Sequence, residues 1–122
     1  DAQGVVYYGR YLPYFDLART QYHRHLGLRE TSGTEPAMRA SEVEYHAPAR
    51  FDDLLECFVR VARIGRTSMT YECAAYRLPD ETLMVTASQT VVLIDRETRT
   101  PTPIPDDVRS LIATFERTEL DA

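Results

Sequence analysis

Asp1 and Gly4 are the first residues of this chain whose types and spacing could do chemistry, standing ahead of Val5, Val6 and an aromatic-rich stretch. A carboxylate upstream of a helix lies near free backbone N–H groups and the positive end of the helix dipole. Gly4 lets another group approach the backbone closely. Together these suit acyl transfer: amides hold a carbonyl oxygen as it gains charge, while the carboxylate attacks or activates water. The same two residues also build a plain turn and helix cap, and an Asp-x-x-Gly spacing alone does not separate the two readings.

A second candidate is the run Arg63, Gly65, Arg66, Thr67 and Ser68. Phosphate oxygens need charged donors and close backbone amides, and this segment offers both. An ordinary solvated turn has the same composition, and the run is too short for a nucleic-acid footprint. The histidines offer less. His23 and His25 lie two apart on a helix, point in different directions and read as surface residues rather than a chelating pair. His46 shares a strand face with Glu42 and Glu44, as a solvated or interface-facing strand would. No metal site is expected. No serine or cysteine has an identifiable histidine partner for a nucleophilic triad. Neither a glycine-rich phosphate loop followed by lysine nor a dinucleotide fingerprint occurs.

The elements that must position these residues follow from periodicity. Tyr11, Tyr14, Phe15, Ala18, Tyr22 and Leu26 recur at three- and four-residue steps, which predicts one long amphipathic helix stopped by Gly27. Tyr11, Phe15 and Ala18 are expected to be buried. Asp16, Arg19, Thr20 and His23 take the wetter face, with Arg19 as a structural ion pair. Pro13 fits if the helix begins within about a turn of it. After a polar connector at 29–36, residues 37–47 suggest a strand with imperfect alternation. Leu55, Cys57, Val59 and Val61, then Met69, Tyr71, Cys73 and Ala75, alternate as two strands joined by the hairpin 63–68. Residues 83–95 are apolar enough on both faces to form a central strand. Three prolines close the strands, and 105–116 reads as a short last helix with Pro105 near its start. The class is α+β, one long helix against an antiparallel sheet.

Composition bounds the function. A chain of 122 residues, 43% hydrophobic, suits a single domain over 1–122. A net charge of -5 gives the whole molecule no attraction for nucleic acid or anionic membrane. No apolar run approaches the roughly 20 residues that cross a bilayer, and without a basic-then-apolar leader the expected location is cytoplasmic. Cys57 and Cys73 lack metal-ligand spacing and read as a buried, reduced pair, with an oxidised pair across a hairpin as the alternative.

The string DAQGVVYYGRYLPYFDLAR strongly resembles the hotdog-fold thioesterases of the 4-hydroxybenzoyl-CoA type and their acyl-CoA thioesterase relatives. There an aspartate is followed by x-x-Gly, two branched apolar residues and a tyrosine-rich helix whose first half ends in Ala-Arg. Those positions are Asp1, Gly4, Val5, Val6, Tyr11, Ala18 and Arg19 here. APARFDDLLE, RIGRTS and PTPIPDDV are similar to later pieces of that family, so the resemblance spans almost the whole chain.

The resemblance implies a hotdog fold, a helix wrapped by a sheet, whose first strand precedes the aspartate; the natural chain is therefore expected to be longer. It implies hydrolysis of an acyl-CoA thioester to free acid and CoA, without metal or cofactor, coenzyme A entering only as part of the substrate. Asp1 becomes the catalytic carboxylate, as nucleophile or general base, and the backbone N–H of Tyr8 faces the thioester oxygen. Gly4, Val5 and Tyr7 border the substrate, and Arg63, Gly65, Arg66, Thr67 and Ser68 take its nucleotide end. A homodimer or homotetramer with the site between subunits is implied as well. An acyl-carrier-protein thioesterase and a non-catalytic acyl-CoA-binding module are the alternatives. An acidic carrier needs a broad basic docking face, which this acidic chain is poorly placed to offer.

Overall fold

Alternating side chains and one helical stripe translate into a sheet with a helix lying across it. The computed structural model describes residues 11–27, 33–47 and 54–121. Asp1, Gly4, Val5, Tyr7 and Tyr8 lie outside these described residues. The element order is α1 (Tyr11–His25), β1 (Thr34–Tyr45), β2 (Leu54–Ile64), β3 (Ser68–Leu78), β4 (Thr82–Asp95) and α2 (Asp106–Asp121). The strands form one antiparallel sheet in the order β1-β4-β3-β2. Residues 83–95 thus sit centrally, as their two-sided apolar character requires.

Three bulges shape the sheet. The imperfect alternation of β1 is a shift between Met38 and Ala40, which leaves Arg39 unmatched against β4. A second shift lies between Val61 and Arg63, and a third between Ala75 and Tyr76 admits Met84 into the core. β1 begins at Thr34, so the polar connector gives its last residues to the strand. Pro36 is tolerated there because β1 is an edge, where one side of the strand needs no donor.

Cross-strand pairing stacks the inward side chains in rungs. Val59, Cys73, Ala87 and Val43 make one; Val61, Tyr71, Gln89 and Ser41 make the next. α1 and α2 cover them, with Phe15, Tyr71, Met84, Val85 and Ile112 essentially out of water. Tyr22 meets both Tyr71 and Phe115 edge-on, at centroid distances of 6.4 and 5.5 Å. Such aromatic contacts contribute about 1 kcal/mol each beyond the burial itself.

The helices depart from the sequence reading in three ways. Of the α1 stripe, Phe15 and Tyr22 are buried, but Ala18 is only half-buried and Tyr14 exposed. Arg19 and His23, assigned to the wetter face, are in fact partly buried against the sheet. The last helix is not short: α2 has 16 residues against 15 in α1. Nothing after Glu116 breaks it, since 117–121 lacks glycine and proline. Gly27 does stop α1, with φ of 73° and its N–H bonded to the Arg24 carbonyl.

Cys57 pairs with Ala75 and Cys73 with Val59, so the thiols sit diagonally on one face and are free rather than oxidised. Cys73 is buried and Cys57 half-buried. Burial pushes both thiols up, Cys73 to about 11, which keeps them protonated and unreactive.

Candidate functional site

The inward rung through Tyr71 and Gln89 is where the helix and sheet meet polar group to polar group. Gln89 is 1% exposed in a strand whose other inward residues are apolar. A carboxamide so placed must be satisfied. Its oxygen accepts from the Arg19 guanidinium of α1, and its amide donates to Ser41 Oγ at 3.3 Å. Arg19 also pairs with Asp16 one turn earlier and stands 5.8 Å from the centre of the Tyr71 ring. One turn on, His23 Nε2 shares a hydrogen bond with the Tyr71 hydroxyl at 2.6 Å. Burial, then the charge of Arg19, lowers the His23 pKa, so the ring is held neutral. Burial pushes Tyr71 up to about 12. His23 is therefore not the surface residue its spacing suggested.

Of these groups, Asp16, Arg19, His23 and Tyr71 line a cavity of about 570 Å3 between α1 and the sheet. Asp16, Arg19, Thr20, His23 and Arg24 form the helix wall. Met38, Met69, Val91, Leu93, Ile104 and Val108 supply an apolar floor. Two arginines against one aspartate make it cationic in an otherwise acidic chain. A second cavity, of about 730 Å3, is bordered by Glu42, Glu44, Glu72 and Glu116 with only Arg60 and His25 to offset them. An anionic ligand is drawn to the first and repelled by the second.

The basic run divides between elements. Arg63 is the penultimate residue of β2, Ser68 opens β3, and only Gly65, Arg66 and Thr67 make the turn. The turn is pinned through its carbonyls. Ser68 accepts from Gly65 N–H at 2.7 Å, Arg66 from Ile104 N–H at 3.0 Å, and Thr67 from Leu93 N–H at 2.8 Å. A Cβ at Gly65 would come within 3.0 Å of Ser68 Oγ, a close contact that the serine side chain would have to relieve. The Gly65 amide is thus already engaged, while the exposed side chains of Arg63 and Arg66 face solvent. Of the run, Thr67 alone borders the cationic cavity, on whose lining Arg19 and His23 also lie.

Arg109 is a participant that sequence reasoning missed. Its guanidinium donates to the carbonyls of Gly65 at 2.8 Å and Arg66 at 3.4 Å, adding a third cation to the hairpin. Nothing local marks an arginine in a helix for a turn more than 40 positions away. Gln89 did carry a signal, as a polar residue in the inward register of an apolar strand. Glu116 was missed likewise: one oxygen accepts from the Tyr22 hydroxyl and from Val61 N–H, the latter at 2.9 Å. His46 lies one residue past the end of β1 rather than on it and bonds Thr86 Oγ1 at 3.0 Å, while Glu42 and Glu44 on β1 are exposed. Among the described residues no group of three His, Cys, Asp or Glu stands close enough to hold a metal, and no helix is long and apolar enough to cross a membrane.

A model of the Thioesterase-like superfamily matches residues 1–112 of the chain. The chain is 31% identical over 121 residues to the acyl-CoA thioester hydrolase YbgC of Escherichia coli O157:H7, covering 96% of this chain and 87% of that one. Its structure is similar to that of DHNA-CoA thioesterase from Staphylococcus aureus, with a TM-score of 0.87 at 20% identity over 99% and 85% of the two chains. It is also similar to a thioesterase from Thermus thermophilus solved with coenzyme A and Zn, with a TM-score of 0.79 at 25% identity over 95% and 85%. The arrangement of helix and sheet is the hotdog fold.

Proposed function

Since the chain belongs to the thioesterase-like superfamily, we propose that it hydrolyses acyl-coenzyme A thioesters to the free acid and coenzyme A. The observation that carries the substrate assignment is the cationic cavity beside α1 with Thr67 of the basic hairpin at its border. A thioester substrate brings a polyanionic nucleotide and an apolar acyl group, and the two features answer those two ends. Arg63, Arg66 and Arg109 give the nucleotide phosphates a cationic rim, with Gly65, Thr67 and Ser68 holding the turn in shape.

In this reading the chemistry belongs to the segment before α1. Asp1 supplies the oxygen nucleophile directly or draws a proton from water, and the Tyr8 amide takes up charge on the thioester oxygen as the carbon becomes tetrahedral. Collapse of that species expels the coenzyme A thiolate, which takes up a proton. Where water attacked, the acid is released directly; where Asp1 attacked, water then hydrolyses the acyl-aspartyl anhydride to the free acid and regenerates Asp1. Gly4, Val5 and Tyr7 flank the thioester. A carboxylate and a backbone amide suffice for this step, so the mechanism calls for no resident metal or cofactor. The 1–122 chain acts as one domain, and a cytoplasmic setting suits both coenzyme A and the free thiols of Cys57 and Cys73.

A homodimer or homotetramer belongs to the same proposal. It is supported by β1, a 12-residue edge strand whose residues are largely exposed. An open edge of that length invites pairing with a second copy.

Replacing Asp1 with asparagine tests the mechanism. Thiol release from an acyl-CoA panel should fall about 100-fold or more, as expected for loss of a catalytic base or nucleophile, with an unchanged circular dichroism spectrum. Near-normal turnover would overturn the role of Asp1, and binding without thiol release at every chain length in the unaltered protein would favour a non-catalytic module.

A further inference from the structure

We propose that the cavity beside α1 receives the acyl group and selects acyl chains that end in a carboxylate, with Arg19 as the group that reads it. The inference rests on the thioesterase reading and names the substrate class for that site.

Arg19 is built in rather than free to swing. Its side chain is 17% exposed, tied to buried Gln89 on one side and to Asp16 on another, with the Tyr71 ring beside it. A guanidinium has five N–H donors in a fixed fork. Gln89 and Asp16 engage two of them, and the residue still lines the cavity. Placing a cation by a satisfied buried amide is the way a site holds a donor ready before its ligand arrives. A flexible surface arginine needs no such arrangement.

The rest of the lining fits an ω-carboxyl chain. Met69, Val91, Leu93 and Val108 offer methylene contacts, and two methionines adapt to chain shape. Arg24 adds a second cation on the next helical turn. Asp16 is 61% exposed, so water screens its opposition. A chain ending in a methyl group would fill the same space while leaving Arg19 desolvated and facing hydrocarbon, which is costly. Sites built around a polar contact discriminate against analogues that lack it far more strongly than apolar pockets discriminate by size.

The test compares adipyl-CoA with hexanoyl-CoA, six-carbon acyl groups that differ only in the terminal carboxylate. Both kcat/KM and calorimetric Kd are measured on the whole protein. The carboxylate is expected to raise kcat/KM and tighten binding about tenfold or more, and Arg19→Gln should bring both ratios close to one. A ratio at or below one in the unaltered protein, or a ratio that survives Arg19→Gln, overturns the proposal. If Arg19→Gln does not fold, the exposed Arg24→Gln decides: the ratio should fall about threefold, and an unchanged ratio counts against the proposal. Should neither thioester be hydrolysed, the ratio of binding constants still decides whether Arg19 selects the carboxylate, and thiol release across the acyl-CoA panel decides the hydrolase reading separately.

Discussion

Arg19 of α1 donates to the carboxamide oxygen of Gln89, 70 positions away and at the centre of the sheet. The helix is thereby tied to β4 through an amide that water does not reach. Gln89 pairs with Tyr71 across β3 and with Ser41 across β1, so the contact lies at the crossing of helix and rung.

That pairing makes the two residues energetically inseparable. Gln89→Leu should cost about 2–4 kcal/mol by leaving the guanidinium without its buried acceptor. Arg19→Met should cost about 1–3 kcal/mol by orphaning the amide oxygen. The double variant is expected to lose less than the sum, by at least about 0.5 kcal/mol. Urea unfolding of the four proteins measures this, and strict additivity would contradict the coupling.

His23 gives stability a pH dependence of defined sign. In the unfolded chain it titrates near 6.5; in the folded one, burial and Arg19 place its pKa lower. Below about pH 6.5 the unfolded chain takes up the proton first, so stability falls with pH until folded His23 also charges. Asp80, held low by its bonds from Arg77 and Thr82, acts in a separate window. So does Asp95, held low by the Thr98 and Glu97 amides. Both lose their stabilising contribution as pH falls below about 4. The urea midpoint should drop between pH 7.5 and 5.5, and His23→Gln should flatten that drop. An equal drop in the variant would remove His23 from the explanation.

Much of the fold was legible. The strand alternation placed Leu55 to Val61 and Met69 to Ala75 correctly, and the broken alternation near Met38 is the bulge at Arg39. The α1 face was misread because a helix lying on a sheet buries more than one stripe. Side-chain type marked Arg19 and His23 as wet, while their partners Gln89 and Tyr71 are supplied by distant strands. The site was legible in part: the hairpin run gave Thr67 at the cavity border, but Arg109 and Gln89 enter only through tertiary contacts. Asp1, Gly4, Val5, Tyr7 and Tyr8 stand on their residue types and the family pattern.

The hairpin arginines should act on binding rather than chemistry. Arg63→Gln and Arg66→Gln are expected to raise KM for an acyl-CoA about threefold to tenfold each, with kcat little changed and the effect shrinking in high salt. Neither should alter turnover of the same acyl group on N-acetylcysteamine, which lacks phosphates. A matching loss with that short thioester would remove the hairpin from phosphate recognition.

Glu116 joins three elements through one oxygen. Glu116→Ala should cost about 2–3 kcal/mol, because the Tyr22 hydroxyl and the Val61 N–H both lose their acceptor. Glu116→Gln keeps an acceptor in place and should recover about half of that. Thermal or urea unfolding distinguishes the two, and equal losses would mean that the contact is steric rather than polar.

Arg109 and Glu116 stand seven residues apart on α2, two helical turns, and so leave from one face. One clasps the turn carbonyls at Gly65 and Arg66; the other clasps Val61, on the strand leading into that turn. The C-terminal helix is therefore a two-pin brace on the hairpin that borders the cationic cavity. Peeling it away unfastens both pins, so the brace and the hairpin should exchange their amide protons as a single opening unit. Trimming the chain within α2 would slacken the turn at 65–67 without touching a residue in it.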